Sequence, residues 1–192
     1  MGANLNTVFV VDVESTCWAT KEEQGKQPNE VIEIGICSID IKSGKVSDPS
    51  SYIINPQFTK VSQFCTELTG WLQADVETGG SMRMTLAAIA ADYGITKDHI
   101  WFSCGEYDRI KLSSYGRAGV GELYGIEPEE NPFDIMRSHV NIKTLFALKH
   151  GLKREAGMAA MLKMMNVELE GRHHNGADDA WNIAKIVKHV LS

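Results

Sequence analysis

The run Val8-Phe9-Val10-Val11-Asp12-Val13-Glu14 constrains this chain more than any other stretch. It opens with apolar, mostly β-branched residues, the composition of a strand buried on both faces. Carboxylates then follow at alternate positions. Strand side chains alternate faces, so Asp12 and Glu14 project from one face, roughly 6.5–7 Å apart along the strand. Like charges at the end of a buried strand are costly unless compensated. A divalent cation would compensate them. A strand that surfaces after Val11 and solvates both acids is the alternative.

A length of 192 residues fits one domain, 1–192. At 43% hydrophobic and 23% charged, the chain can bury a substantial core. No apolar run approaches the ~18–20 residues that span a bilayer, so no membrane contact is expected. The polar lead before Val8 carries no basic region or cleavage pattern, and no signal peptide is expected. Cys17, Cys37, Cys65 and Cys104 are widely spaced and form no C-x-x-C pair, which fits a reduced, cytoplasmic compartment. A net charge of −6 argues against coating long nucleic acid, though not against gripping a few nucleotides in a cleft.

Residues 19–30 read as a polar loop. Strands are expected from Val31 to Ile39, ending at Tyr52-Ile53-Ile54, and at Ile100-Trp101-Phe102. Ser62 can cap a short helix ended by Gly70, and Ser81 one ended by Gly94. A further helix carries Asp108 and ends near Gly116. Residues 116–132, rich in Gly, Pro and Glu, read as a loop or insertion. Helices follow at 141–150, 158–165 and 178–191. The order implies an α/β fold with a mixed sheet flanked by helices.

Further acids stand where chemistry is favoured. Glu106 and Asp108 lie between a strand end and a helix start, a usual ligand position, although the helix dipole alone would favour them there. In the last helix Ile183, Ile186 and Val190 form an apolar stripe. Counting back from Ile183 puts Asp179 on the inward face, and Asp178 with Asn182, Lys185 and His189 on the wet face. An inward aspartate needs a partner, and His174 sits just before it on a loop with Asn175 and Gly176.

Together these stretches resemble the DEDDh 3′→5′ exonuclease superfamily, whose fold is ribonuclease H-like. Its D-x-E corresponds to Asp12 and Glu14, its middle aspartate to Asp108, and its H-x-A-x-x-D to His174, Gly176 and Asp179. The flanks are similar to those of the Eri-type exoribonucleases: Glu14-Ser15-Thr16-Cys17, Ile-Glu-Ile-Gly (32–35), Glu-Leu-Thr-Gly (67–70), Asn-x-Lys (141–143) and the 171–180 run. Two features depart from that pattern. Tyr107 stands where many relatives have tryptophan, and the 116–132 segment is longer than expected.

The resemblance implies a metal-dependent 3′→5′ exonuclease that prefers single-stranded RNA 3′ ends and releases nucleoside 5′-monophosphates. Asp12, Glu14, Asp108 and Asp179 would hold two Mg²⁺ or Mn²⁺ ions, and His174 would be the general base. Thr16, Leu68 and Thr69 match positions that hold the terminal nucleotide, and Tyr107 offers a stacking face. A DNA-trimming or proofreading 3′→5′ exonuclease is the alternative within the same class, and single-stranded DNA 3′ ends the alternative partner. A non-catalytic nucleic-acid-binding regulator is the alternative function, although a binding module has no need of clustered acids. Arg109, Lys111, Lys143 and Arg172 are the basic residues near these motifs, and oligomeric state is left open.

Overall fold

The computed structural model describes residues 6–117, 119–136 and 138–192. In chain order the elements are β1 (Thr7–Ser15), α1 (Lys21–Gln24), β2 (Val31–Asp40), β3 (Ser50–Ile53), α2 (Gln63–Thr69), α3 (Gln73–Val76), α4 (Met82–Asp92), β4 (Ile100–Ser103), α5 (Tyr107–Ser114), α6 (Val120–Tyr124), α7 (Pro132–Ile135), β5 (Ser138–Asn141), α8 (Ile142–His150), α9 (Met158–Met164) and α10 (Gly176–Leu191). The strands form one sheet in the order β3-β2-β1-β4-β5. β1–β2 and β2–β3 are antiparallel, while β1–β4 and β4–β5 are parallel. This is the α/β mixed sheet flanked by helices that the sequence implied.

β1 is central, and its alternation builds a core on each face. Phe9, Val11 and Val13 pack with Leu86 and Ile89 of α4 and Leu112 of α5. Val8 and Val10 pack with Phe146 of α8, Met161 of α9, and Ile183, Ile186 and Val187 of α10. Asp12 and Glu14 continue the second face, so both acids point to the α10 side. On β2 the same face carries Glu33, Gly35, Cys37 and Ile39. Gly35 lies opposite Asp12 and Glu33 opposite Glu14. A Cβ at Gly35 would collide with the backbone of Gly176, so glycine here lets the start of α10 reach the sheet.

The local signals hold at several ends. Ser62 accepts from the Cys65 amide at the start of α2, Gly70 is left-handed at its end, and Ser81 caps α4. Short elements escaped the sequence reading. α1 lies within the polar 19–30 stretch, α3 and α7 are single turns, and residues 116–132 contain α6 and a 3₁₀ turn at Pro128–Glu130. β5 was missed because Ser138-His139-Val140-Asn141 has no apolar run; its ladder to β4 is what makes it a strand. Among the described residues no helix is long and apolar enough to cross a membrane.

Candidate active site

A cavity of about 450 Å³ opens at the carboxyl ends of β1 and β4, lined by Asp12, Glu14, Tyr107, Asp108, Lys143, His173, His174 and Asp179 among others. Asp12, Glu14 and Asp179 offer carboxylate oxygens all within 4.8 Å of one another. Asp108, buried in the first turn of α5, accepts a hydrogen bond from the Val13 amide at 3.1 Å, which ties α5 to the end of β1. The structure therefore brings the four acids taken from β1, α5 and α10 to one cavity.

Asp179 is buried as its helical position required. One oxygen, Oδ2, accepts from the His174 amide at 3.0 Å. The other, Oδ1, is buried with no hydrogen-bond partner among the described residues. A carboxylate that clusters with two others and keeps a buried, unpaired oxygen belongs to the donor set of a hard divalent cation. The acids fit such an ion.

Electrostatics agree with that reading. Burial raises the Asp12 carboxyl well above its usual range, and Asp108, Glu14, Asp179 and Glu33 add repulsion. Burial, then Asp179 and Glu33, push Glu14 up to about 8. Burial also raises Asp108 and Asp179. Lys143 and His173 offset part of the repulsion at Asp108 and Asp179, and without a cation protonation has to relieve the rest.

His174 lines the cavity with a left-handed backbone (φ 65°) and with Nδ1 4.0 Å from Glu14 Oε1. Burial, His173 and Arg172 lower its pKa. His173 stacks on it with ring centroids 4.0 Å apart, and His173 Nε2 lies 3.8 Å from Asp179 Oδ2. His173 is thus part of the cavity wall, which the sequence did not indicate.

Asp178 points away from the acids and accepts from the Arg172 amide at 2.7 Å. The face expected to be wet is only partly so. Asn182 is buried, because its amide donates to the Glu170 carbonyl at 2.7 Å and its oxygen accepts from the Glu170 amide. The 168–172 segment folds back over that face, a tertiary contact invisible to helical periodicity.

Of the residues matched to nucleotide binding, Tyr107 lines the cavity, and its hydroxyl donates to Asn29 Oδ1 at 2.8 Å. Thr16 and Thr69 are buried and their hydroxyls are engaged internally: Thr16 with the Glu30 amide and Thr59, Thr69 with the Cys65 carbonyl and the Trp71 amide. The Leu68 carbonyl accepts from Arg172 at 3.4 Å. Arg172 therefore closes the end of α2 rather than facing the cavity. Arg109 pairs with Glu106, and Lys111 donates to the Asn29 carbonyl. Of the four basic candidates, only Lys143 lines the cavity.

Glu33 is the main residue whose role was missed. It is buried, and accepts from Ser51 Oγ (2.6 Å), Trp71 Nε1 (2.7 Å), and the Gly176 (2.9 Å) and Ala177 (3.3 Å) amides. It seats the N-terminus of α10, whose first turn carries Asp179. The signal was an acid inside the apolar run of β2.

Residues 9–106, about half of the chain, match the sequence profile of the family described as Exonuclease. The chain belongs to the exonuclease family. That matched part of the chain contains Asp12, Glu14 and Glu33, while Asp108, His174 and Asp179 lie beyond it. ERI1 exoribonuclease 2 of Xenopus laevis is 26% identical over 96% of this chain and 28% of its own length. ERI1 exoribonuclease 3 of Homo sapiens is 27% identical over 94% of this chain and 52% of its own length. The chain thus spans about a quarter to a half of these curated relatives. The nuclease domain of 3′hExo, a DEDDh family member solved bound to rAMP, superposes with a TM-score of 0.83 at 21% identity, covering 100% of this chain and 94% of that one. The fold is the ribonuclease H-like fold of DEDDh nucleases.

Proposed function

We propose that this chain is a metal-dependent 3′→5′ exonuclease that removes nucleoside 5′-monophosphates from single-stranded ends, with RNA preferred. The observation that carries the proposal is the convergence of the Asp12, Glu14 and Asp179 carboxylates in the cavity beside His174, with Asp179 Oδ1 buried and unpaired among the described residues. Names and ligands of the relatives, exoribonucleases and a bound rAMP, support RNA as the substrate. A cavity of about 450 Å³ is within the range that encloses one nucleotide-sized group.

Asp12, Glu14 and Asp179 would hold two Mg²⁺ or Mn²⁺ ions, with Asp108 completing the set. When bound, such ions supply an activated water and neutralise charge on the leaving oxygen. His174 takes the proton of the attacking water at an imidazole nitrogen; its lowered pKa keeps the ring neutral and ready to accept. The water oxygen bonds to phosphorus as the P–O3′ bond breaks, and O3′ takes a proton from solvent, leaving a 3′-hydroxyl on the shortened strand and the phosphate on the departing nucleoside. Lys143 meets a backbone phosphate, and Tyr107 stacks on the terminal base. The free thiols of Cys17, Cys37, Cys65 and Cys104 support a reducing, cytoplasmic setting.

The test is digestion of matched 5′-labelled RNA and DNA strands with Mg²⁺, Mn²⁺ or chelator. The expected result is a ladder receding from the 3′ end, faster on RNA, with mononucleotide product and no cleavage in chelator. Internal cuts, cleavage in chelator, or binding without cleavage would each overturn the reading. Faster digestion of DNA would overturn the RNA preference alone.

A further inference from the structure

Beside the catalytic cavity lies a second recess of about 270 Å³, between the 28–29 turn, α5 and α6. Its rim carries Phe58 and Leu123, large apolar side chains left 51% and 64% exposed. Its floor is aromatic. Tyr124 meets Phe58 edge-on at 5.6 Å and Tyr115 at 4.8 Å. Lys111 forms one wall and makes no ion pair among the described residues, its amine donating to the Asn29 carbonyl. Asn29 also accepts from Tyr107 Oη, so a residue lining this recess is hydrogen-bonded to one lining the catalytic cavity.

Its walls are held in place from within. The buried Glu30 carboxylate accepts from the Gln57 amide (2.8 Å), the Phe58 amide (2.9 Å), Thr59 Oγ1 (2.6 Å) and Tyr124 Oη (2.8 Å). One carboxylate thus fixes both the segment bearing Phe58 and the helix bearing Leu123. Walls set in this way require little reordering when a ring enters. The volume lies just below the ~300–1,000 Å³ of pockets that enclose a whole small molecule, and suits one flat ring system. Aromatic faces with a lysine at the edge are the chemistry that takes a base and its phosphate.

We propose that this recess is an upstream base-stacking subsite. It would hold a nucleobase of the same strand, 5′ of the nucleotide being removed, with Lys111 near the adjoining phosphate. The inference rests on the exonuclease reading and adds to it a determinant of substrate length. It also gives a use to the 116–132 segment, which supplies α6.

The test compares wild type with Phe58→Ala, Leu123→Ala and a surface control, Met84→Ala, which is exposed beside β3. Substrates are RNA strands of increasing length and the p-nitrophenyl ester of thymidine 5′-monophosphate, which has no upstream base. Loss of one stacked base should raise KM for the longer strands about 5- to 150-fold, with kcat unchanged. Turnover of the ester should stay at the wild-type value, and Met84→Ala should change neither. In parallel, 2-aminopurine is placed at successive upstream positions of a strand bound to an Asp12→Asn background. Quenching at one upstream position, relieved by Phe58→Ala, is expected. Equal losses on ester and strand, no length dependence, or no upstream quenching would overturn the subsite. If no strand is cleaved at all, the exonuclease reading fails, and the 2-aminopurine signal still decides the recess.

Discussion

Replacing Glu33 separates two things this buried carboxylate does: it accepts hydrogen bonds, and it adds negative charge to the site. In Glu33→Gln the amide oxygen can keep the Trp71 and Gly176 donors while the new NH₂ turns to Ser51, whose hydroxyl can accept. Only the long 3.3 Å bond from Ala177 is lost. The lost charge at the helix N-terminus costs roughly 0.3–2 kcal/mol. Relief of repulsion on Asp12, Glu14 and Asp179, all raised in part by Glu33, offsets it. Metal-free stability should therefore stay within about 1 kcal/mol of wild type. Glu33→Ala instead strands the Trp71 and Gly176 N–H groups, at about 1–3 kcal/mol each, a total of roughly 2–6 kcal/mol. For a chain of this size that lowers Tm by roughly 4–24 °C. Urea unfolding of metal-free protein measures both variants, and Mn²⁺ titration calorimetry across pH measures the site. Glu33→Gln should keep the metal site and move metal uptake to lower pH, because Glu14 and Asp12 then ionise more readily. Equal destabilisation by Gln and Ala, or an unmoved pH midpoint in Glu33→Gln, would refute this account of Glu33.

Asp179→Asn should abolish cleavage yet raise the Tm of the metal-free protein, since it removes one charge from the cluster; a fall in Tm checked by calorimetry would contradict the clustering. Glu14 ionises at about 8 folded and near 4.5 unfolded, so the folded state holds the extra proton. Its contribution to metal-free stability is fully present below about pH 4 and is lost as pH rises through about 8, a change of a few kcal/mol that pH-dependent unfolding should show and saturating Mn²⁺ should suppress. His174→Ala should slow cleavage roughly 10²–10⁴-fold and remove the rise of rate with pH. His173→Ala should lose less and keep that rise, because its ring only packs on His174 and Asp179; matching pH profiles for the two variants would mean the loop acts through its shape.

How much could be read in advance depended on range. Asp12, Glu14 and Asp179 were legible because strand alternation and helical periodicity fix which way a side chain points, and the core then decides which face is inside. Ser62, Gly70 and Ser81 were legible because a cap is satisfied within a few residues of itself. Glu33 and Asn182 were not, since their partners lie 143 and 12 residues away. The fate of the basic residues was hidden for the same reason. Arg172 reads as a substrate contact until α2 brings the Glu67 and Leu68 carbonyls to it. β5 needed the edge of β4, and α6 needed the Glu30 carboxylate that anchors Tyr124.

The charge pattern of the finished site ties metal and substrate together. The proposed nucleic-acid substrate would meet a chain of net charge −6 and a cavity with four acids. Lys143 is the one Lys or Arg side chain lining that cavity among the described residues; Arg109 and Arg172 are held by Glu106 and α2, and Lys111 lines the neighbouring recess. A single cation contributes only about 0.7 to the salt slope of single-strand binding, a small share of the attraction that long phosphate contacts provide. The acids would repel the scissile phosphate in the metal-free protein. On the proposed function, divalent ions would reverse the sign of that field, so the groups that hold the metal would also decide whether the strand is admitted. Linkage is reciprocal: a bound strand must tighten the metals by the same factor by which the metals tighten the strand. Placing the acids on β1, α5 and α10, and seating α10 on Glu33, would therefore position the substrate of the proposed reaction as well as its chemistry.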